Sequence, residues 1–285
     1  MKSKAFEKFM EIIFLISSLM SIISIIVICY FIFSNGVPFI AKYGLGNFVL
    51  KSNWLPTARP PSFGILPMLV GSLIITLGSL IIGVPIGLFT AIYLSYYCPP
   101  KLYKIVKPAV NLMAGIPSIV YGFFGLMVMV PVVRSWWGGT GMNIFTASVL
   151  LGIMILPTVI GLSESSIRSV PGEYYRGAVA LGATQERSIM KVVVPAAKSG
   201  ILAAVILGIG RSIGETMAVI MVAGNQARMP SSITQGVRTM TANIVLDMAY
   251  AAGDHREALI ATGAVLFVFI LLINLAFSVV KERMN

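Results

Sequence analysis

Uncharged runs at 12–33, 65–97, 108–133, 135–163 and 258–280 each exceed the roughly 20 helical residues needed to cross about 30 Å of hydrocarbon. A sixth run, 195–223, is equally apolar apart from Lys198 near its start and two ionisable residues deep inside it, Arg211 and Glu215. Hydrophobic residues make up 57% of the chain and charged residues 11%, with mean hydropathy +0.92, well outside the range of soluble domains. The expected fold class is an all-α polytopic membrane protein. Its single transmembrane domain, 1–285, carries six transmembrane helices near 12–33, 67–97, 108–133, 142–164, 195–223 and 258–280.

The first run follows Lys2, Lys4 and Lys8, as the core of a secretory signal would. Such a core is about 7–15 residues long and ends at a small-residue cleavage site. The run 12–33 is longer and passes into Ser34-Asn-Gly-Val-Pro38, so it reads as a retained span. With the amino terminus placed inside, thirteen Lys and Arg residues fall in inner segments and seven in outer ones. That bias puts both termini in the cytoplasm.

The net charge of +11 comes from residues that flank spans, so anchoring accounts for it and no nucleic-acid partner is expected. Cys29 and Cys98 fall at opposite ends of neighbouring spans, too far apart to bridge. His255 is the one histidine; it reads as a solvated loop residue, and no metal site is expected. Trp136 and Trp137 fit an interfacial belt, and the stretch Phe123 to Met129 reads as lipid-facing or packing. Pro67, Pro85, Pro117 and Pro157 are the expected kink positions.

An ionisable group at hydrocarbon depth costs roughly 2.5–3.5 kcal/mol on insertion scales, so it normally faces a protein interior or a water-lined path. Arg211 and Glu215, four positions apart, are therefore candidate path residues. The competing reading is a neutralised pair that only locks helix packing. Ser212, Thr216 and Asn225 either add donors at the same level or bond backbone carbonyls, and Gly208, Gly210 and Gly214 permit close helix approach.

Between the fourth and fifth spans, 164–195 is patterned as two short helices. Pro171 and Glu173 suit a first turn, Tyr174, Ala178 and Leu181 share a face, Gly182 permits a break, and Thr184 caps the second helix. Ile189, Val192 and Val193 give that helix an apolar face before Pro195 closes it and begins the fifth span. An amphipathic hairpin on the membrane surface fits the same pattern.

Gly182 followed after nine residues by Val192-Val-Val-Pro195 resembles the cytoplasmic loop of the membrane subunits of type I ABC importers. The Glu-Ala-Ala positions of that loop are here Arg176-Gly177-Ala178, and Glu173 stands in for the missing acid. Met113-Ala-Gly-Ile-Pro-Ser-Ile-Val-Tyr-Gly122, Ile155-Leu-Pro-Thr158, Arg168-Ser-Val-Pro171 and Gly210-Arg-Ser-Ile-Gly-Glu-Thr-Met-Ala-Val219 resemble the phosphate-uptake branch. Trp54-Leu-Pro56 and Phe63-Gly-Ile-Leu-Pro67 favour its PstC-like over its PstA-like permeases. The resemblance covers about 54–225 and implies location in a prokaryotic cytoplasmic membrane. It also implies a coupling loop, 168–195, that docks an ATPase dimer through Glu173, Arg176, Gly177, Ala178, Gly182 and Thr184. The implied partners are a second, PstA-like permease, an extracytoplasmic phosphate-binding protein and membrane lipid. No Gly-x-x-x-x-Gly-Lys-Ser/Thr loop occurs in the chain, so ATP and Mg are expected on the partner ATPase, with no cofactor and no enzymatic activity in this chain.

A guanidinium presents a planar fork that binds oxyanions bidentately and stays charged, which makes Arg211 the first candidate ligand for dehydrated phosphate. Glu215 is expected to hold Arg211 or to accept a hydrogen bond from a protonated phosphate oxygen, which sulfate lacks at neutral pH. Three alternatives stay open on the residues alone: another oxyanion, a secondary transporter, for which no inverted repeat is evident, and a non-transporting scaffold.

Overall fold

The computed structural model describes residues 2–284, with side chains over 6–279. The side chains of Lys2, Lys4, Lys281 and Arg283, four of the residues used for orientation, lie outside that range. Among the described residues, five helices are long and apolar enough to cross a membrane, and the bent pair Gln185–Ala196 and Lys198–Gly214 passes the same length and hydropathy test together, as a sixth candidate.

Helix α1 (Lys2–Tyr43) does not stop near residue 33 but runs on through Gly36 and Pro38. A Cβ at Gly36 would lie 3.0 Å from the Ala261 Cα, so the glycine lets α1 cross the last helix almost backbone to backbone. After α1 come α2 (Leu45–Val49) and a two-stranded antiparallel hairpin, β1 (Trp54–Leu55) and β2 (Ser62–Phe63), with Trp54 opposite Phe63. Phe39, Phe48, Trp54, Phe63 and Met240 form an apolar core at this hairpin end.

Helix α3 (Leu66–Ile92), prolonged by a π turn over Tyr93–Tyr97, pairs along its length with α7 (Ile144–Arg168). Small residues set the spacing: a Cβ at Gly83 would meet the Gly152 carbonyl at 2.7 Å, and one at Gly87 would meet Val159 at the same distance. Without an aqueous hydrophobic drive between helices in lipid, such close dispersion contacts are what hold them together. Pro85 and Pro157 lie inside these helices without ending them, and Pro67 sits in the first turn of α3.

The expected third span, 108–133, is two elements. Helix α4 (Pro100–Gly115) ends before Ile116 and Pro117, both extended, and α5 (Ser118–Phe124) then continues through a π turn, Gly125–Met129, into α6 (Val130–Trp137). The residue before a proline is steered out of the helical region, which fixes the break at Ile116. The membrane-length segment is Ser118–Trp137, and residues 108–115 belong to an amphipathic helix carrying Lys101, Lys104 and Lys107.

The loop contains α8 (Gly172–Ala180), then α9 (Gln185–Ser188), a π turn over Ile189–Val193 and α10 (Val194–Ala196). Gly182 has φ +85°, a left-handed turn that favours glycine. Pro195 does not open the fifth span directly: the segment Gln185–Ala196 meets α11 (Lys198–Gly214) at 69°. The fifth span is broken again at Glu215 and Thr216 before α12 (Met217–Val222). Helix α13 (Met240–Met248) follows, and α14 (Asp254–Met284) closes the chain beside α1.

Asp247 on α13 knots the hairpin end together. It accepts from Trp54 Nε1 at 3.3 Å and Tyr250 Oη at 2.7 Å, and Arg238 Nη1 reaches it at 3.4 Å. His255 is no solvated loop residue. Its side chain is 13% exposed, opens α14 between Trp54, Phe63 and Tyr250, and places Nε2 3.4 Å from Asp247 Oδ2.

Candidate translocation site

Arg211 lies in the last turn of α11, half-buried, and Glu215 is the first residue past that helix, in extended conformation. The two form no ion pair, so they do not neutralise each other here. Glu215 Oε1 instead accepts from the amides of Thr216 at 3.1 Å and Ala218 at 3.2 Å, capping α12. This satisfies two of the donors that a helix start leaves open and sets a carboxylate against the positive dipole end. The Glu215 carbonyl accepts from Thr241 Oγ1 at 3.0 Å, so α13 braces the break.

Of the other residues at this level, Ser212 Oγ is buried against Ser79 Oγ of α3 at 2.7 Å, which leaves it joined to helix packing. Thr216 Oγ1 donates to the Gly214 carbonyl at 3.2 Å. Asn225, with φ +52°, donates through Nδ2 to the Ile220 carbonyl at 2.7 Å and closes the other end of α12, while its own carbonyl accepts from Arg238 Nε at 3.1 Å. Gly208 faces Val159 at ordinary contact distance, but a Cβ at Gly210 or Gly214 would meet nothing within 4 Å. Those two glycines do not serve helix packing within this chain; they leave the surroundings of Arg211 open.

The two broken spans lie side by side. Helix α5 packs on α12, where a Cβ at Gly122 would sit 2.9 Å from the Ala218 Cα. Tyr121 Oη donates to the Met113 carbonyl at 2.9 Å across the Pro117 break. A fixed cation, a carboxylate and two interrupted helices thus meet at one level. Irregular backbone at membrane depth is tolerated where it is buried in protein or lines a water-filled cavity.

At the loop end, Glu173 and Arg176 pair on the exposed surface of α8 at 2.7 Å. The first cause of the lowered Glu173 pKa is the bond from its own backbone amide, followed by Arg176. Gly177 and Gly182 have open space around them, Ala178 is half-buried, and Thr184 Oγ1 accepts from the Arg187 amide at 3.3 Å. Tyr175 is the side chain that packs inward, against Tyr96, whereas Tyr174 is exposed and Leu181 is 91% exposed.

Sequence reasoning missed Glu164. Its side chain, 2% exposed, accepts from Lys107 Nζ at 2.7 Å, Tyr103 Oη at 2.8 Å and Arg168 Nε at 2.9 Å. Only Arg168, four residues on, was a readable signal.

Residues 83–285 match the model of the family described as binding-protein-dependent transport system inner membrane component. The chain belongs to this family. Among relatives, the probable ABC transporter permease protein YqgH of Bacillus subtilis is 39% identical over 80% of this chain and 76% of its own. The phosphate transport system permease protein PstC of Mesorhizobium japonicum is 32% identical over 85% of this chain and 80% of its own. PstC 2 of Mycobacterium tuberculosis is 30% identical over 90% and 85%. The fold is that of type I ABC importer permeases. A bacterial alginate ABC transporter solved with its periplasmic protein superposes with TM-score 0.64 at 17% identity, over 95% of this chain and 94% of that one. The inward-facing MetNI methionine ABC transporter superposes with TM-score 0.58 at 20% identity, over 78% and 94%.

Proposed function

We propose that this family member is the PstC-like permease subunit of an ATP-driven phosphate importer, forming half of the translocation path. The observation that carries the reading is the Arg211 guanidinium, half-buried at a broken span and with no ion pair or hydrogen bond to another of the described residues. A dehydrated oxyanion needs such a donor, and the fork of the guanidinium matches two phosphate oxygens. Glu215 Oε1 is engaged in capping while Oε2 accepts from none of the described residues, so it can accept from a protonated phosphate oxygen. The PstC relatives support phosphate as the substrate.

The open surroundings of Gly210 and Gly214 are completed by a second, PstA-like permease. The exposed loop, with Leu181 and Tyr174 outward, receives one half of an ATPase dimer, and the Asp247 end faces the phosphate-binding protein. Both termini are then cytoplasmic. Arg211→Gln in the assembled complex tests the reading: phosphate uptake into proteoliposomes falls to background while ATPase and binding protein still associate. Uptake at the wild-type rate removes Arg211 as ligand. Competition by sulfate, arsenate and molybdate reads the selectivity, and sulfate is expected to compete poorly.

A further inference from the structure

A second basic site lies away from the broken spans, where α3 ends. The π turn Tyr93–Tyr97 leaves Tyr93 and Tyr97 exposed at the end of a span, the level at which amphipathic aromatic rings sit in a bilayer. The chain then turns through Cys98-Pro99 into α4, which rests on the bundle by one side only: Val110 is buried and Tyr103, Val106 and Lys107 are half-buried. Its other side shows Ile105 and Leu112, 69% and 73% exposed, together with Lys101 and Lys104.

Between α4 and the ends of α3 and α7 is a cavity of about 310 Å³ lined by Ser95, Tyr96, Tyr103, Lys104 and Arg168 among others. Its charges are unbalanced. The one acid beside it, Glu164, is saturated by Lys107, Tyr103 and Arg168. Arg168 stacks on the Tyr103 ring and uses Nε on that carboxylate and Nη2 on the Leu94 carbonyl at 2.7 Å, while Nη1 donates to none of the described residues. Lys101 and Lys104 make no ion pair with another of the described residues.

We propose that this cavity binds the headgroup of an anionic phospholipid. Lys104 and Arg168 Nη1 meet the phosphate, Lys101 stands at the rim, and the acyl chains lie along Ile105 and Leu112. Basic pockets between spanning helices, beside an amphipathic helix, are where such lipids gain both charge neutralisation and apolar contact. A soluble anion would have no use for the apolar strip that adjoins the cavity.

The test uses the assembled complex in nanodiscs of phosphatidylglycerol or phosphatidylcholine, with bound lipid counted by native mass spectrometry. Wild type retains phosphatidylglycerol selectively. The double variant Lys101→Gln/Lys104→Gln, which breaks no bond within the chain, loses about fivefold in affinity per lysine. Ile105→Gln, which alters the apolar strip and no charge, weakens retention of phosphatidylglycerol as well. Equal retention of the two lipids, wild-type retention by the double variant, or displacement of the bound lipid by millimolar inorganic phosphate overturns the proposal. The outcome is independent of what the chain transports.

Discussion

The amide of Ala218 donates to Glu215 Oε1 at 3.2 Å, so the carboxylate that follows one half-helix caps the next. Four positions before it, Arg211 pairs with none of the described residues. Capping therefore separates a pair that, on an unbroken helix, would be close enough to cancel.

Replacing Glu215 distinguishes its cap from its charge. Glu215→Gln keeps an amide oxygen for the Thr216 and Ala218 amides, whereas Glu215→Ala leaves both unsatisfied and is expected to lose about 1 kcal/mol. Thermal unfolding of the detergent-solubilised chain should rank wild type above Gln and Gln above Ala. An alanine variant as stable as wild type would contradict the capping role.

Gly122→Ala should push α5 from α12. The added Cβ would lie 2.7 Å from Met221 Sδ, which can swing away, and 2.9 Å from the Ala218 Cα, which is backbone and cannot. Overpacking of this kind costs about 1–3 kcal/mol. Uptake should drop together with stability, because Ala218 also carries the amide that Glu215 caps.

Glu164→Gln leaves Lys107 and Arg168 around a neutral acceptor. Breaking a buried ion pair from one side costs roughly 3–5 kcal/mol, and the lower end applies because the Lys107 and Arg168 side chains remain 25% and 45% exposed. Expression level and resistance to chemical denaturation are the measurements. Glu164→Asp, which keeps the charge, should recover part of the loss.

Acid should loosen the start of α8. The folded pKa of Glu173 is depressed below the ordinary 4.5, first by its own backbone amide and then by Arg176. The stabilisation is thus present above about pH 4.5 and lost as pH falls through the lowered value. Carboxyl carbon shifts of Glu173, followed by NMR on the solubilised chain, should show a midpoint that rises toward 4.5 in Arg176→Gln. An unchanged midpoint would assign the depression to the backbone alone.

Gly182→Pro imposes φ near −65° where the turn has +85°. The reversal between α8 and α9 cannot then form, and the ATPase should no longer co-purify with the chain. Intact co-purification with coupled turnover would instead fit a hairpin lying on the membrane.

Spans were readable because hydrocarbon thickness imposes a length on any apolar run, and the turn at Gly182 and the cap at Thr184 were readable because their signals are local. The break at Glu215 was not: hydropathy continues on both sides, and what stabilises the interruption, Thr241 on the Glu215 carbonyl, comes from 26 residues away. Ile116-Pro117 carried a local break signal, yet hydropathy ran over it and joined α4 to the third span. His255 was misjudged because its neighbours in sequence are polar, while its neighbours in space, Trp54, Phe63 and Tyr250, are aromatic. Glu164 likewise meets Tyr103 and Lys107 from 61 and 57 residues away.

The Asp247 knot joins Trp54, 193 residues earlier, to Tyr250 just after it and His255 at the head of the final helix. A chain threaded into the bilayer from its amino terminus holds Trp54 idle through most of synthesis. One carboxylate then gathers early and late segments at once, so the hairpin end of the molecule can close only once α13 and the head of α14 have been made.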